Sequence, residues 1–249
     1  MIEPRVLVVR SGANPFLAFG ESPRIEIVEM LSHAIERVAV PPEALTGRFD
    51  WVVLTSQVAV ERVLGDPEIS DDFRRIASEA RVVAVGAATR RALEAGGCSV
   101  QLIARGSGES ILDRLPRRME GNRVLLPCGD DASLEVPEGL RARGASVTRA
   151  VVYRKVPKPE DPRLDAEIVQ RPFAAFCVTS PSAARWLMSG RSDAALERLK
   201  HTPAVALGRF TRRYLESHGV ERIDVTEEAS FEAARKRLET LALSVESRA

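Results

Sequence analysis

Short apolar runs at residues 5–9, 52–54, 82–85, 124–126, 176–178 and 204–207 set the rhythm of this chain. Each gives way to small or hydroxyl residues and then to apolar positions at helical spacing. A strand with one wet face alternates apolar and polar residues. Nearly unbroken runs with β-branched content therefore predict strands covered on both faces, as in a parallel sheet. At the passage from strand to helix stand Thr-Ser pairs and Gly-x-x-Thr turns, where a hydroxyl can cap open N–H groups and a glycine permits a tight turn. Gly96, Gly97, Gly144 and Gly219 follow helical patterns and read as helix stops, each with a strand-like run soon after. Strand–helix alternation throughout predicts an α/β protein with doubly wound parallel sheets.

The pattern occurs twice. Gly86, Thr89, Arg90, Arg91, Leu93 and Glu94 recur as Gly208, Thr211, Arg212, Arg213, Leu215 and Glu216. Trp51–Ala59 has a counterpart at Ala175–Ala183, Arg5–Val9 at Arg123–Pro127, and Ser107-x-Glu109 at Ser230-x-Glu232. A period of roughly 120 residues seen only twice means a duplicated domain, since solenoid repeats are shorter and more numerous. The order of the copies is circular: the 5–9 unit opens the chain, whereas its partner at 123–127 follows the Thr-Ser and Gly-x-x-Thr units of its own copy. This order predicts two similar domains, one discontinuous in sequence. Residues 1–33 and 157–249 form the first, 41–148 the second, and 34–40 with 149–156 connect them as a two-stranded β ladder, with a cleft between the domains. The proline-rich run at 157–162 marks the return to the first domain.

A chain of 249 residues suits two domains that each bury a core, and 45% apolar with 29% charged content describes a soluble globular protein. The net charge of +1 provides no global field for nucleic acid or membrane, so strong anion binding must arise from local arrangement. No export signal opens the chain and no apolar run approaches membrane-spanning length, which predicts a cytoplasmic protein. Cys98, Cys128 and Cys177 lie far apart and read as reduced thiols.

Several chemistries are missing. There is no Walker loop, no His-Glu-x-x-His, no metal-spaced Cys or His cluster and no Gly-x-Ser-x-Gly elbow. Gly106-Ser107-Gly108 is too short for a dinucleotide loop and reads as a helix cap; His33, His201 and His218 read as surface or structural histidines. What remains is a set of loops at the carboxyl ends of strands, where open α/β sheets gather ligands. These are Arg10-Ser11-Gly12, Thr55-Ser56-Gln57, Gly86-Ala87-Ala88-Thr89, Cys128-Gly129-Asp130, Thr179-Ser180-Pro181-Ser182 and Gly208-Arg209-Phe210-Thr211. Each precedes a predicted helix and can offer N–H groups at the positive end of its dipole. One such loop is an ordinary helix cap; a matched set facing one cleft is a multidentate anion site.

Phe49-Asp50-Trp51-Val52-Val53-Leu54-Thr55-Ser56, the paired turns Ala84-Val85-Gly86-x-x-Thr89 and Ala206-Leu207-Gly208-x-x-Thr211, the run Gly144-Ala145-x-Val147 with Val152-Tyr153-Arg154, and Thr179-Ser180-Pro181-Ser182-Ala183 together resemble the uroporphyrinogen-III synthase family, in order and over essentially the whole chain. The resemblance implies two α/β domains joined by a two-stranded ladder. It implies a cofactor-free, metal-free lyase acting on a small molecule, the octacarboxylate hydroxymethylbilane, and a monomer with no nucleic-acid or membrane partner. The reaction closes that linear tetrapyrrole while inverting ring D: water leaves to give an azafulvene cation, the substituted carbon of ring D attacks, and the spiro intermediate fragments and recloses. The substrate ionises itself, so the protein's task is to hold a polyanion in one curled conformation. Tyr153 corresponds to the family's tyrosine that helps the hydroxyl depart; a hinge aromatic packed between domains is the plainer reading of the same residue. The substrate-binding set is Arg10, Ser11, Thr55, Ser56, Gln57, Gly86, Ala87, Thr89, Gly129, Arg154, Thr179, Ser180, Ser182, Ala183, Gly208, Arg209 and Thr211. The repeated Arg90-Arg91 and Arg212-Arg213 pairs read as solvated.

Two stretches depart from the family pattern. Residues 11–24 contain Gly12, Pro15, Gly20 and Pro23, which interrupt a helix. Pro127-Cys128-Gly129-Asp130-Asp131 places two carboxylates in a candidate binding loop, unfavourable beside a polyanion unless they point away. These departures support the rival expectation of a non-catalytic anion-binding or regulatory protein on the same fold; a periplasmic-type binding protein would require an export signal.

Overall fold

A computed structural model describes residues 3–12, 22–104, 109–159, 161–226 and 231–246. The Gly106-Ser107-Gly108 turn, Ser230 and most of the proline- and glycine-interrupted stretch after Gly12 lie outside the described residues. The chain divides into two compact units, Met1–Ile35 with Val156–Ala249 and Glu36–Lys155.

The chain opens the first unit with β1 (Arg5–Ser11) and β2 (Glu26–Arg37). In the second unit it runs β3 (Trp51–Leu54), α1 (Gln57–Gly65), α2 (Ser70–Glu79), β4 (Arg81–Val85), α3 (Gly86–Ala95), β5 (Leu102–Ala104), α4 (Glu109–Arg114), β6 (Arg123–Gly129), α5 (Glu135–Ala142) and β7 (Ser146–Pro157). It returns through α6 (Pro162–Gln170), β8 (Ala175–Val178), α7 (Pro181–Met188), α8 (Asp193–His201), β9 (Ala204–Ala206), α9 (Arg209–Ser217), β10 (Ile223–Val225) and α10 (Phe231–Glu246). The apolar runs read from the sequence are all strands.

In the first unit the strand order is β10-β9-β8-β1-β2, and in the second it is β5-β4-β3-β6-β7, read from the opposite edge. The pairs within each run parallel. The two orders coincide when β8, β9 and β10 are matched with β3, β4 and β5, and β1 and β2 with β6 and β7. Thus the α/β class and the circular order of the copies both hold.

Both faces of each sheet are covered, which is why the strands are apolar without alternation. In the first unit Leu7, Val9, Phe176, Val178, Ala204 and Ala206 face one way into a core with Leu164, Trp186, Leu187 and Leu199. Val6, Val8, Ala175, Cys177 and Val205 face the other way, against Ala234, Leu238 and Ala242 of α10. In the second unit Trp51, Val53, Val83, Val124 and Leu126 pack with Ile111 and Leu140 of α4 and α5. Gly97, Gly144 and Gly219 end helices at positive φ, as predicted.

β2 begins at Glu26, earlier than the predicted crossing segment. Glu26 and Glu29 break the apolar run on a strand that Ile27, Val28 and Met30 otherwise mark, and the partner β1 pairs with it in parallel from Arg5↔Glu26 onward. Two hydrogen bonds tie the crossing segments to each other. Val38 N–H donates to Val152 O (3.2 Å) in the second unit, and Lys158 N–H donates to Ser32 O (2.9 Å) in the first. These bonds involve equivalent positions of the two copies.

Asp165 of α6 anchors the start of α8. It accepts from Ser192 N–H (2.6 Å) and from Arg191 Nη1 (2.8 Å), whose side chain is only 1% exposed. Burial pushes this carboxyl up, but the bonds from Ser192 and the Arg191 charge outweigh it and hold it below the usual carboxylate range. A carboxyl depressed in the folded state stabilises fully above its unfolded value, near pH ~4, and loses that contribution as pH falls through its folded value. Asp165→Asn is therefore expected to cost about 1–3 kcal/mol at pH 7. Urea unfolding at pH 7 and at acid pH checks this: the gap between wild type and variant narrows in acid.

Candidate active site

The parallel register carries side chains to the carboxyl ends of the strands. At the end of β6 the pairing with β7 slips between Cys128 and Gly129, so Gly129 stands opposite Tyr153, and Asp130 N–H donates to Tyr153 O (3.0 Å). The Tyr153 ring lies against Gly129: a Cβ there would come within 2.7–2.9 Å of ring carbons and the hydroxyl. Glycine is required because the aromatic ring occupies the space of a side chain. The Tyr153 hydroxyl lies 3.4 Å from Ser56 Oγ, at the start of α1. Tyr153 is 5% exposed, and burial pushes its hydroxyl above the ordinary phenol range, with the Ser56 contact offsetting part of that rise. At neutral pH it is a protonated donor.

The remaining candidates divide by element. Ser56 and Ser180 are the N-caps of α1 and α7. Ser180 caps as predicted, its hydroxyl accepting from Ala183 N–H (3.2 Å) and lying 3.0 Å from Ser182 Oγ. Ser56 makes no side-chain cap bond; its hydroxyl is turned to Tyr153 instead. Gln57 opens α1 and donates to Glu61 (3.0 Å). Gly86 and Ala87 form the first turn of α3, Gly208 is the N-cap of α9, and Arg209 opens that helix with its guanidinium over the Phe210 ring. Thr55 and Thr179 directly follow β3 and β8, both half-buried. Thr89, Thr211 and Ala183 point inward and are buried; Ala183 belongs to the first unit's core.

One expectation needs correction. Gly129 does not precede a helix directly: α5 starts at Glu135, so this loop presents strand-end backbone and not a helix N-terminus. Arg10 lies inside the fold. It is 6% exposed, paired with Glu29 and donating to Gly12 O (2.7 Å), so its charge is largely satisfied within the fold. Arg154, by contrast, is exposed and paired with Glu36 (2.8 Å). The Ser11 hydroxyl is buried with no hydrogen-bond partner among the described residues. The two aspartates of the altered loop are taken up locally. Asp130 accepts from Asp131 N–H (2.9 Å) and Lys155 N–H (3.3 Å), and Asp131 pairs with Lys155 Nζ (2.9 Å). The repeated arginines are solvent-exposed, with Arg90 and Arg212 bonded to Glu94 and Glu216 one turn on.

Sequence reading passed over Lys155, which neutralises Asp131, and Arg149, whose guanidinium reaches the Cys128 thiol. The signal for Arg149 was present: in Val147-x-Arg149-x-Val151-x-Tyr153 a cation occupies an inward position of an otherwise apolar alternation. Among the described residues no cluster of His, Cys, Asp and Glu could hold a metal ion, and no helix is long and apolar enough to cross a membrane.

Gly129→Ala is expected to displace the Tyr153 ring and lower unfolding free energy by about 1–3 kcal/mol. Gly65→Ala, where nothing lies within 4 Å of the added methyl, stays within about 0.5 kcal/mol of wild type. Urea titration of the two variants, with tyrosine near-ultraviolet dichroism as the ring probe, checks the contrast.

The family model described as uroporphyrinogen-III synthase HemD matches residues 7–235. A putative uroporphyrinogen-III synthase of Methanothermobacter thermautotrophicus is 29% identical over 209 residues, 80% of this chain and 79% of that protein. The chloroplastic uroporphyrinogen-III synthase of Oryza sativa is 30% identical over 156 residues, 56% of this chain and 47% of that protein. Among solved structures, a mutant uroporphyrinogen III synthase of Thermus thermophilus aligns over 96% of this chain and 99% of its own, with TM-score 0.67 and 24% identity. The Helicobacter pylori uroporphyrinogen-III synthetase aligns over 98% and 100%, with TM-score 0.64 and 18% identity, so both share the fold. With a matching profile over nearly its full length, the chain belongs to the uroporphyrinogen-III synthase family.

Proposed function

We propose that this chain closes hydroxymethylbilane to uroporphyrinogen III, with inversion of ring D and loss of water, and that Tyr153 donates the hydrogen bond that helps the hydroxyl leave. The observation that carries the reading is Tyr153 itself, a protonated phenol seated on Gly129 and beside Ser56 in a chain of this family. The pyrrole nitrogen supplies the electrons that expel the hydroxyl, so a neutral donor within reach of that oxygen is sufficient acid assistance. The resulting azafulvene cation is attacked by the substituted carbon of ring D. The spiro intermediate then fragments and recloses through the other ring carbon.

The substrate carries eight carboxylates, and the chain has a net charge of only +1. Binding therefore falls to N–H groups at the first turns of α1, α3, α7 and α9, where the helix dipole favours an anion, with Arg154 and Arg209 alongside. Catalysis is then mostly orientation: the inverted closure must outrun spontaneous head-to-tail closure. Lys155 balances the charge of Asp131, and backbone N–H groups solvate Asp130, which weakens the charge objection to a polyanion near that loop. In this reading the enzyme works as a monomer without a cofactor, and three buried free thiols support a cytoplasmic setting.

Incubation with freshly made hydroxymethylbilane, followed by oxidation and separation of porphyrin isomers, tests the activity. The III isomer should dominate; only the I isomer, formed at the rate of the blank, contradicts the enzyme reading. Tyr153→Phe is expected to fold normally and lose about 10²-fold in kcat. Unchanged turnover would take Tyr153 out of the chemistry.

A further inference from the structure

The two units repeat each other's strand-end pairing closely enough for equivalent side chains to be compared. Arg10↔Leu31 in the first corresponds to Cys128↔Val151 in the second, and Ser11↔His33, after the same slip in register, to Gly129↔Tyr153. Gly12 N–H donates to His33 O as Asp130 N–H donates to Tyr153 O, both at 3.0 Å. By the same register Glu29 of β2 corresponds to Arg149 of β7.

In the first unit this position holds a complete ion pair, Arg10 on β1 with Glu29 on β2. In the second, the cation is Arg149 on β7, and the residue on β6 at the position of Arg10 is Cys128, whose thiol Arg149 reaches and which has no charge to return while protonated. Burial pushes the Cys128 thiol up, although Arg149 opposes that rise, so the sulfur stays neutral at pH 7. Arg149 Nε and Nη2 are buried and make no hydrogen bond among the described residues. The nearby carboxylates are engaged elsewhere, Asp131 with Lys155 and Asp130 with backbone N–H groups. A buried guanidinium with two nitrogens lacking an acceptor, and only a neutral thiol at the rest, is costly to keep, and persists where an acceptor arrives from outside.

We propose that Arg149 is a ligand-binding residue: its guanidinium takes a carboxylate of the bound tetrapyrrole, in the role Glu29 fills for Arg10. The identity of that ligand rests on the proposed function. Leaving the Cys128 thiol to meet the ligand costs Arg149 little, since Nε and Nη2 surrender no bond. The planar fork suits a carboxylate, which can accept from two of its N–H groups at once.

The test compares wild type, Arg149→Met and Arg149→Lys by thermal unfolding, alone and with saturating uroporphyrinogen III, and by steady-state turnover of hydroxymethylbilane. Arg149→Met should unfold a few degrees higher than wild type without ligand, because an orphaned buried charge is gone. It should also lose part of the ligand-induced rise and show a KM raised about tenfold with kcat little changed, the mark of lost ground-state binding. Arg149→Lys should fall between. A lower melting temperature for Arg149→Met without ligand, with unchanged KM, would overturn the proposal and make Arg149 a structural tie to Cys128. A wild type that does not turn over hydroxymethylbilane but is stabilised by uroporphyrinogen III sinks the enzyme reading alone, and the thermal comparison still decides on Arg149. Absence of any rise with uroporphyrinogen III in wild type overturns both.

Discussion

The site depends on the parallel hydrogen-bond register between each crossing strand and its inner neighbour, β1 with β2 and β6 with β7, and on the one-residue slip at the end of each pair. Such a slip leaves one residue unpaired and re-aims the side chains beyond it. On β7 the Tyr153 ring lies over a glycine backbone, with its hydroxyl toward Ser56, the N-cap of α1. The chemistry proposed for this chain therefore rests on a backbone feature that no single residue encodes.

Around that constraint the electrostatics are arranged by local pairing. Carboxylates that would repel a polyanion are occupied by Lys155 and by backbone N–H groups, and Arg10 is retired into a pair with Glu29. The cations at Arg154 and Arg209 remain on exposed positions. A protein of almost zero net charge can thus present partial positive charge from helix starts without an overall field. The proposed closure suits this economy, because the substrate supplies its own leaving-group push and asks the protein mainly for conformation.

Much of the fold was legible in the sequence. The apolar runs at 52–54, 82–85 and 176–178 lie on strands because sheets covered on both faces leave no alternation to hide them, and the glycine stops at 97, 144 and 219 follow from their positive φ. The start of β2 was not legible: Glu26 and Glu29 interrupt the apolar signal, one paired with Arg5 and the other with Arg10 on the neighbouring strand. Of the candidates, the helix-start positions of Ser56 and Ser180 were legible. The site was not legible in its pairings. Burial of Thr89, Thr211 and Ala183, and the partners of Arg10, Asp131 and Arg149, are set by contacts between residues distant in sequence, which composition and spacing do not report.

The central claim is that N–H groups in the opening turns of α1, α3, α7 and α9 hold the carboxylates of a tetrapyrrole. A two-dimensional ¹H–¹⁵N NMR titration of the whole chain with uroporphyrinogen III tests it most directly. The account predicts saturable shifts at the amides of Gln57, Ala87, Ser182 and Arg209, in the opening turns of α1, α3, α7 and α9. Shifts confined to residues away from these turns, or no saturable shift at all, would contradict it.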